Sequence, residues 1–446
     1  MLHFPEGFLW GVATSAHQFE GPGSSNQWQQ WEQQGHIRQG YRCGDACDWW
    51  RNAESDLDLC HDLGLNAIRV SIDWGRIEPL EGEWNHLAVA RYRALLESIR
   101  FRGMKPMVTL HHFTHPQWFE ERGGFLARGS AERFATFARR IVRELAGQCD
   151  TWITFNEPNV LAAFGYIFGE VPPGLRNRAT EFAKVMVSMH RAHALAYEAI
   201  HEHQPNASVG IASNWVEFQP ASDSGSDRLL AHFYASGFNR SSLQLLTAGN
   251  LEFPLNTMVA EVPEVIGKID FFGLNVYNRL HVRAPFNEVA IRTGGLFVPL
   301  EVPQGDRGAE LPYGEAHPEA ITAAVAEYSK LGVPLFITEN GVPDRSDRIR
   351  PWVIVQSLAR VHECIAAGRD VRGYFHWSIV DNFEWAEGWE LRFGLYELDI
   401  QTKLRKPRPS AAIFRDIIQQ NALSDELLGR FSDPPVTSSP LSTRTP

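Results

Sequence analysis

The chain is poor in cysteine, has no long apolar run and carries no excess of positive charge. Its five cysteines (Cys43, Cys47, Cys60, Cys149 and Cys364) are odd in number and scattered, which excludes a disulfide framework as the organising device. Cys43 and Cys47 have the look of half a metal site, but no second pair lies nearby, so free thiols are expected. No stretch approaches the roughly 20 apolar residues that cross a bilayer. A charged-then-apolar leader is also missing, since Met1 runs almost directly into a strand-like segment at Phe8–Thr14. A cytoplasmic protein without a membrane partner is therefore expected. Lys and Arg number 42 against 53 Asp and Glu, a net charge of −11 spread along the chain, which argues against nucleic acid as a partner. The first strand-like run is not followed by a glycine-rich phosphate loop, which counts against dinucleotide binding.

What is present is an ordinary soluble composition, 44% hydrophobic over 446 residues, with 14 Trp and 27 Phe. That is ample for a large core, and most of those aromatics are expected to fill it. Flat apolar faces also suit sugar rings. Eight β-rich runs recur: Phe8–Thr14, Asn66–Ile72, Lys105–His111, Thr151–Asn156, Ser208–Ser213, Asp270–Tyr277, Pro334–Glu339 and Arg372–Ile379. Amphipathic segments alternate with them, among them Glu54–Leu63, Leu87–Arg102, Ser130–Gly147, Glu181–Gln204, Pro318–Leu331, Pro351–Ala367 and Ser410–Gln420. Apolar strands alternating with helices predict an α/β protein with a parallel sheet, and eight such units predict a single (β/α)8 TIM barrel. A minimal barrel needs only about 250 residues. The surplus is assigned to long βα loops at Gly21–Ala53, Ser213–Gly249 and Tyr277–Tyr313. Residues 1–423 are read as the catalytic barrel, and 424–446, rich in Ser, Thr and Pro, as a disordered tail.

In a barrel the C-terminal ends of the strands meet at one mouth, so polar residues there become neighbours. Gln18 lies just beyond the first run, Arg69 within the second, and His111 and His112 at the third. Asn156 and Glu157 close the fourth, Asn275 and Tyr277 the sixth, and Glu339 and Asn340 the seventh. Trp377 lies in the eighth, and the loop after it holds Glu384 and Trp385. Amides and carboxylates bind hydroxyls, indoles stack on ring faces, and paired carboxylates do acid/base and covalent chemistry. A single glutamate at a strand end is ordinarily a solvated cap or half of an ion pair, so the argument rests on the pair. His111, His112 and His115 lack the carboxylate-plus-His spacing of a metal helix, so hydroxyl binding is expected there, with no metal or cofactor.

Two segments carry a family resemblance. Thr154-Phe155-Asn156-Glu157-Pro158 and Ile337-Thr338-Glu339-Asn340-Gly341 resemble the paired signatures of glycoside hydrolase family 1, the β-glucosidase family. The resemblance runs from Phe4-Pro5-Glu6-Gly7-Phe8-Leu9-Trp10-Gly11 through Asp381-Asn382-Phe383-Glu384-Trp385 to Arg392-Phe393-Gly394-Leu395. It implies a retaining β-glycosidase, with Glu157 as acid/base and Glu339 as nucleophile, hydrolysing terminal β-D-glucosyl and also β-galactosyl or β-fucosyl residues. Retention implies carboxyls about 5–5.5 Å apart. Arg69 and Tyr277 are the implied supports of Glu339, and Asn156 the implied contact of the sugar 2-hydroxyl. Gln18, His112, Asn275, Glu384, Trp385 and Phe393 are implied substrate contacts, with Trp377 as stacking floor. A transglycosylase using the same glutamates, or a non-catalytic sugar-binding barrel, would be the alternatives. The expected partners are small β-glycosides or oligosaccharides.

Some positions depart from the family pattern: Phe113, Thr114, His115, Val276 and Trp389. The sharpest departure is Tyr313-Gly314, where members often carry Gly-Trp. Gly314 takes the place of the Trp platform on the leaving-group side, so an altered, more open aglycone site is expected. The retained Glu384 disfavours a 6-phosphate by like-charge repulsion, so a neutral hexose is expected.

Overall fold

A strand covered on both faces can be apolar throughout, and that is how the sheet of this protein is built. The computed structural model describes residues 1–23, 26–253, 257–284 and 314–435. Eight parallel strands form the barrel: β1 (Leu9–Ala13), β2 (Ala67–Ser71), β3 (Lys105–His111), β4 (Thr151–Asn156), β5 (Ser208–Pro220), β6 (Phe271–Val282), β7 (Leu335–Asn340) and β8 (Val371–His376), and a short strand at Glu315–Ala316 adds antiparallel to β6. Each pairs with its successor, and β8 pairs with β1, Gly373 opposite Leu9, so the barrel closes. Every residue of β2 and β7 is buried.

The outer layer contains α1 (Trp49–Asp62), α2 (His86–Phe101), α3 (Ser130–Leu145), α4 (Ala179–His203), α5 (Ser241–Ala248), α6 (Ala320–Tyr328), α7 (Arg350–Ala366) and α8 (Pro409–Gln420). Each long helix turns one apolar stripe inward. In α3 the stripe is Phe134, Phe137, Ala138, Ile141, Val142 and Leu145, all buried at helical spacing. Burying each of its large side chains contributes about 1.5–3 kcal/mol.

β3 and β4 coincide with the predicted runs, whereas β5 and β6 are longer than predicted. They stay paired above the barrel rim, from Val216 opposite Asn278 to Pro220 opposite Val282, after a register shift at Trp215. Two of the expected long loops therefore begin as a ribbon. The expectation of disorder from 424 onward is corrected for its first residues: a helix spans Asp425–Arg430. Ser424 caps it by accepting from the Leu427 N–H at 3.2 Å, and Asp425 and Glu426 sit favourably in its first turn. Beyond it, the Phe431 carbonyl accepts from Gln356 on α7 at 2.6 Å. Residues 436–446 of the expected tail lie outside the described residues. The five cysteines are free and buried. Among the described residues no helix is long and apolar enough to cross a membrane.

Candidate active site

The chain leaves β4 through one strained residue. Glu157 has φ 46° and ψ 60°, a left-handed conformation, and is followed at once by Pro158, the first residue of a helix over Pro158–Tyr166. Proline suits the first helical position and disfavours right-handed helix in the residue before it. The turn is fixed by the Glu157 N–H donating to the Ala212 carbonyl at 2.7 Å.

Arg69, wholly buried in β2, reaches across the mouth. It donates to Glu339 at 2.6 Å, to the Asn156 side-chain oxygen at 2.6 Å and to Thr109 at 3.1 Å. The Tyr277 hydroxyl donates to the other oxygen of Glu339 at 2.6 Å. Glu157 receives no such cation; its Oε1 accepts from the amides of Asn275 and Asn214, each at 2.9 Å. The two carboxyls thus sit in different settings. Burial and the Glu339 charge push Glu157 up to about 8, against a weaker downward pull from the two amides and Arg69. Burial also raises Glu339, but Arg69 and Tyr277 stabilise its anion directly. The shared proton therefore resides on Glu157.

His112 is held neutral: burial, then the Arg69 and His111 charges, keep its pKa well below the usual value. Because the Asn156 oxygen is committed to Arg69, its amide nitrogen faces His112 Nε2 at 3.0 Å, which makes Nε2 the acceptor. The proton then sits on Nδ1, donated to Ser71 at 3.0 Å. Asn156 can consequently offer a substrate only N–H. Gln18 accepts from Ser15 at 2.6 Å and donates to Glu384 at 3.1 Å. Burial, followed by the charges of Glu339, Glu387 and Glu157, pushes Glu384 up to about 8. Trp385 lies parallel to His17 at 5.5 Å between ring centres, and Trp377 lies 6.0 Å from His112.

These residues line one cavity of about 770 Å³, with Gln18, His112, Asn156, Glu157, Tyr277, Glu339, Trp377, Glu384 and Trp385 on its walls. Two of the expected substrate contacts stand back from this wall. Asn275 is fully buried behind the carboxyls, its amide shared between Asn156 at 3.0 Å and Glu157 and its oxygen bonded to Thr338 at 2.7 Å. Phe393 is off the cavity wall, packed edge-on against Tyr277 at 6.0 Å. Sequence reasoning missed Asn214, which the continuation of β5 brings onto Glu157. Its only sequence signal was an amide following a strand-like run. His115 is used structurally, bonded to Glu120 at 2.8 Å and to Gln27. Among the described residues no group of three or more His, Cys, Asp or Glu is placed to hold a metal. Tyr313 lies outside the described residues. Gly314 has φ 108°, and a Cβ there would come within 2.9 Å of the Asn278 side chain, so the backbone itself requires glycine.

The chain has close counterparts among known proteins. The chain is 31% identical to a β-galactosidase of Pyrococcus woesei, over 95% of this chain and 98% of that one. It is 30% identical to β-glucosidase A of Thermotoga maritima, over 95% and 99%. Among solved structures, a β-glycosidase from Pyrococcus horikoshii superposes with a TM-score of 0.86 at 38% identity, covering 97% of this chain and 99% of that one. The Thermotoga maritima β-glucosidase in complex with glucoimidazole gives 0.85 at 29% identity, covering 95% and 100%. The profile described as glycosyl hydrolase family 1 matches residues 1–423, and the chain belongs to that family.

Proposed function

We propose that this family 1 β-glycosidase hydrolyses terminal β-linked neutral hexoses with retention, using Glu339 as nucleophile and Glu157 as acid/base. The observation that carries the assignment is the asymmetry of the pair: Arg69 and Tyr277 both bond Glu339, while Glu157 accepts from the amides of Asn214 and Asn275. In the first step a Glu339 oxygen attacks C1 and the bond from C1 to the aglycone oxygen breaks. That oxygen leaves with the Glu157 proton. Esterified Glu339 carries no charge, so the second-largest influence raising Glu157 disappears and Glu157 becomes a base suited to the next step. It takes a proton from water as the water oxygen attacks C1, and the ester bond to Glu339 breaks. Asn156 donates toward the 2-hydroxyl and Gln18 and Glu384 bind the remaining hydroxyls over Trp377, while His112, with both ring nitrogens engaged, orients the Asn156 amide.

Glucose is the proposed first glycone, with galactose and fucose accepted; the names of the relatives from Thermotoga maritima and Pyrococcus woesei support the first two. A β-glycoside digested in a proton NMR tube tests the mechanism. The β-anomer of the free sugar is expected first, with the α-anomer growing in only as mutarotation proceeds. Early appearance of the α-anomer would sink the nucleophile assignment.

A further inference from the structure

The cavity is far larger than one sugar ring and changes character along its length. Around the polar groups near the two carboxyls its wall carries Phe164, Phe168, Phe182, Phe218, Phe233 and Phe238, with Glu170, Asn177, Asn278 and Glu387 as the further polar residues. These side chains come from two facing groups of elements. On one side, Val160, Phe164 and Phe168 follow one another at four-residue spacing, starting three residues after Glu157 and leading away from it. The rings of Phe164 and Phe168 lie 5.3 Å apart. On the other side, Phe218 of β5 packs against Tyr234 at 5.7 Å and Phe238 at 5.9 Å. Phe233, on the helix Gly225–Tyr234, is 41% exposed at the outer end.

A stripe of apolar residues at helical spacing ordinarily packs into a core. Here Phe164, Phe168, Phe218 and Phe238 are only half-buried and face the space that any leaving group must cross. Contiguous apolar surface of this kind marks a binding groove. Sugar hydroxyls laid against these phenyl rings would give up water without gaining a partner there, although Glu170, Asn177, Asn278 and Glu387 also line the cavity. The indole platform expected of a sugar aglycone is also replaced by Gly314, which the backbone conformation demands.

We propose that the leaving group of the natural substrate is an extended apolar moiety, an alkyl or lipid-like alcohol rather than a second sugar. This rests on the β-glycosidase reading above and names the substrate class of the same site. The test is the kcat/KM series for methyl, butyl, hexyl and octyl β-D-glucosides, each below its micelle concentration, with cellobiose alongside. Complete burial of a methylene corresponds to about a fourfold gain, so with partial burial octyl is expected to exceed methyl by about thirtyfold or more. Cellobiose should fall below octyl glucoside. Phe164→Ser and Phe233→Ser should each lower the octyl-to-methyl ratio severalfold; the wild-type series decides alone if either fails to fold. A flat series, or cellobiose as the better substrate, overturns the proposal while leaving the catalytic reading intact. Absence of turnover on every glycoside overturns the catalytic reading instead. Calorimetric binding of octyl against methyl glucoside then decides the apolar wall, equal affinities rejecting it.

Discussion

Glu339→Ala is expected to lower kcat on aryl β-glucosides by about 10⁴-fold or more, the scale on which covalent hydrolases lose activity with their nucleophile. The substitution removes the carboxylate proposed to form the glycosyl ester. It leaves Arg69 and the Tyr277 hydroxyl, which bonded the lost carboxylate at 2.6 Å each, pointing at a vacated anion site. A small anion should therefore bind there. Added azide is expected to restore part of the turnover by attacking C1 from the nucleophile's side, giving a glycosyl azide of inverted configuration. The product can be read by NMR. A variant that keeps more than a few per cent of wild-type activity, or that gives the β-azide, would reject Glu339 as nucleophile.

Glu157→Ala is expected to split substrates by leaving group. Alkyl glucosides depart as strongly basic alkoxides and need the proton, so their kcat/KM should fall by about 10³-fold, within the usual range for a general acid. Dinitrophenyl glucosides leave unaided and should keep most of their glycosylation rate. The pH profile carries the same information. The active form has Glu157 protonated and Glu339 ionised. Because Glu157 is raised to about 8, wild-type kcat/KM should hold to that region and fall above it. Because Glu339 is raised as well, the acid limb should lie above the ordinary carboxylate range. The two limbs belong to the coupled pair. In the variant the alkaline limb should vanish for dinitrophenyl substrates. Equal losses across leaving groups, or an unchanged alkaline limb, would remove Glu157 from the role.

The parts of the molecule that were legible beforehand are those set by local pattern. β3 and β4 match their predicted runs because both faces of those strands are covered and the apolar run simply stops at the mouth. β5 and β6 were underestimated because, above the rim, their residues are mostly half-buried, with no apolar run to mark them, and are held by pairing with one another, a long-range fact with no local signature. The same extension explains why Asn214 went unseen. Asn275 and Phe393 lie close to the expected place but one layer back. Motif and strand end give a residue's height in the barrel, and only packing decides whether it touches the cavity. At the far end, composition outweighed the Ser424-Asp425-Glu426 cap that starts the last described helix.

The backbone at Glu157 has a cost that the chemistry hides. A left-handed conformation burdens a side chain other than glycine or asparagine by about 1–2 kcal/mol, and here the residue also buries an ionisable carboxyl. A demanding turn in the site is occupied by a residue poorly suited to it, since the proposed role needs a carboxyl that reaches the glycosidic oxygen to deliver its proton. Thermal tolerance and turnover are therefore set against each other at this one position. Glu157→Asn, which accepts the same turn without a buried ionisable carboxyl, should melt no lower than wild type while hydrolysing alkyl glucosides poorly. A melting point several degrees lower would mean that the Asn214 and Asn275 bonds to Glu157 outweigh the strain, and that this enzyme gives up nothing in durability to keep its acid.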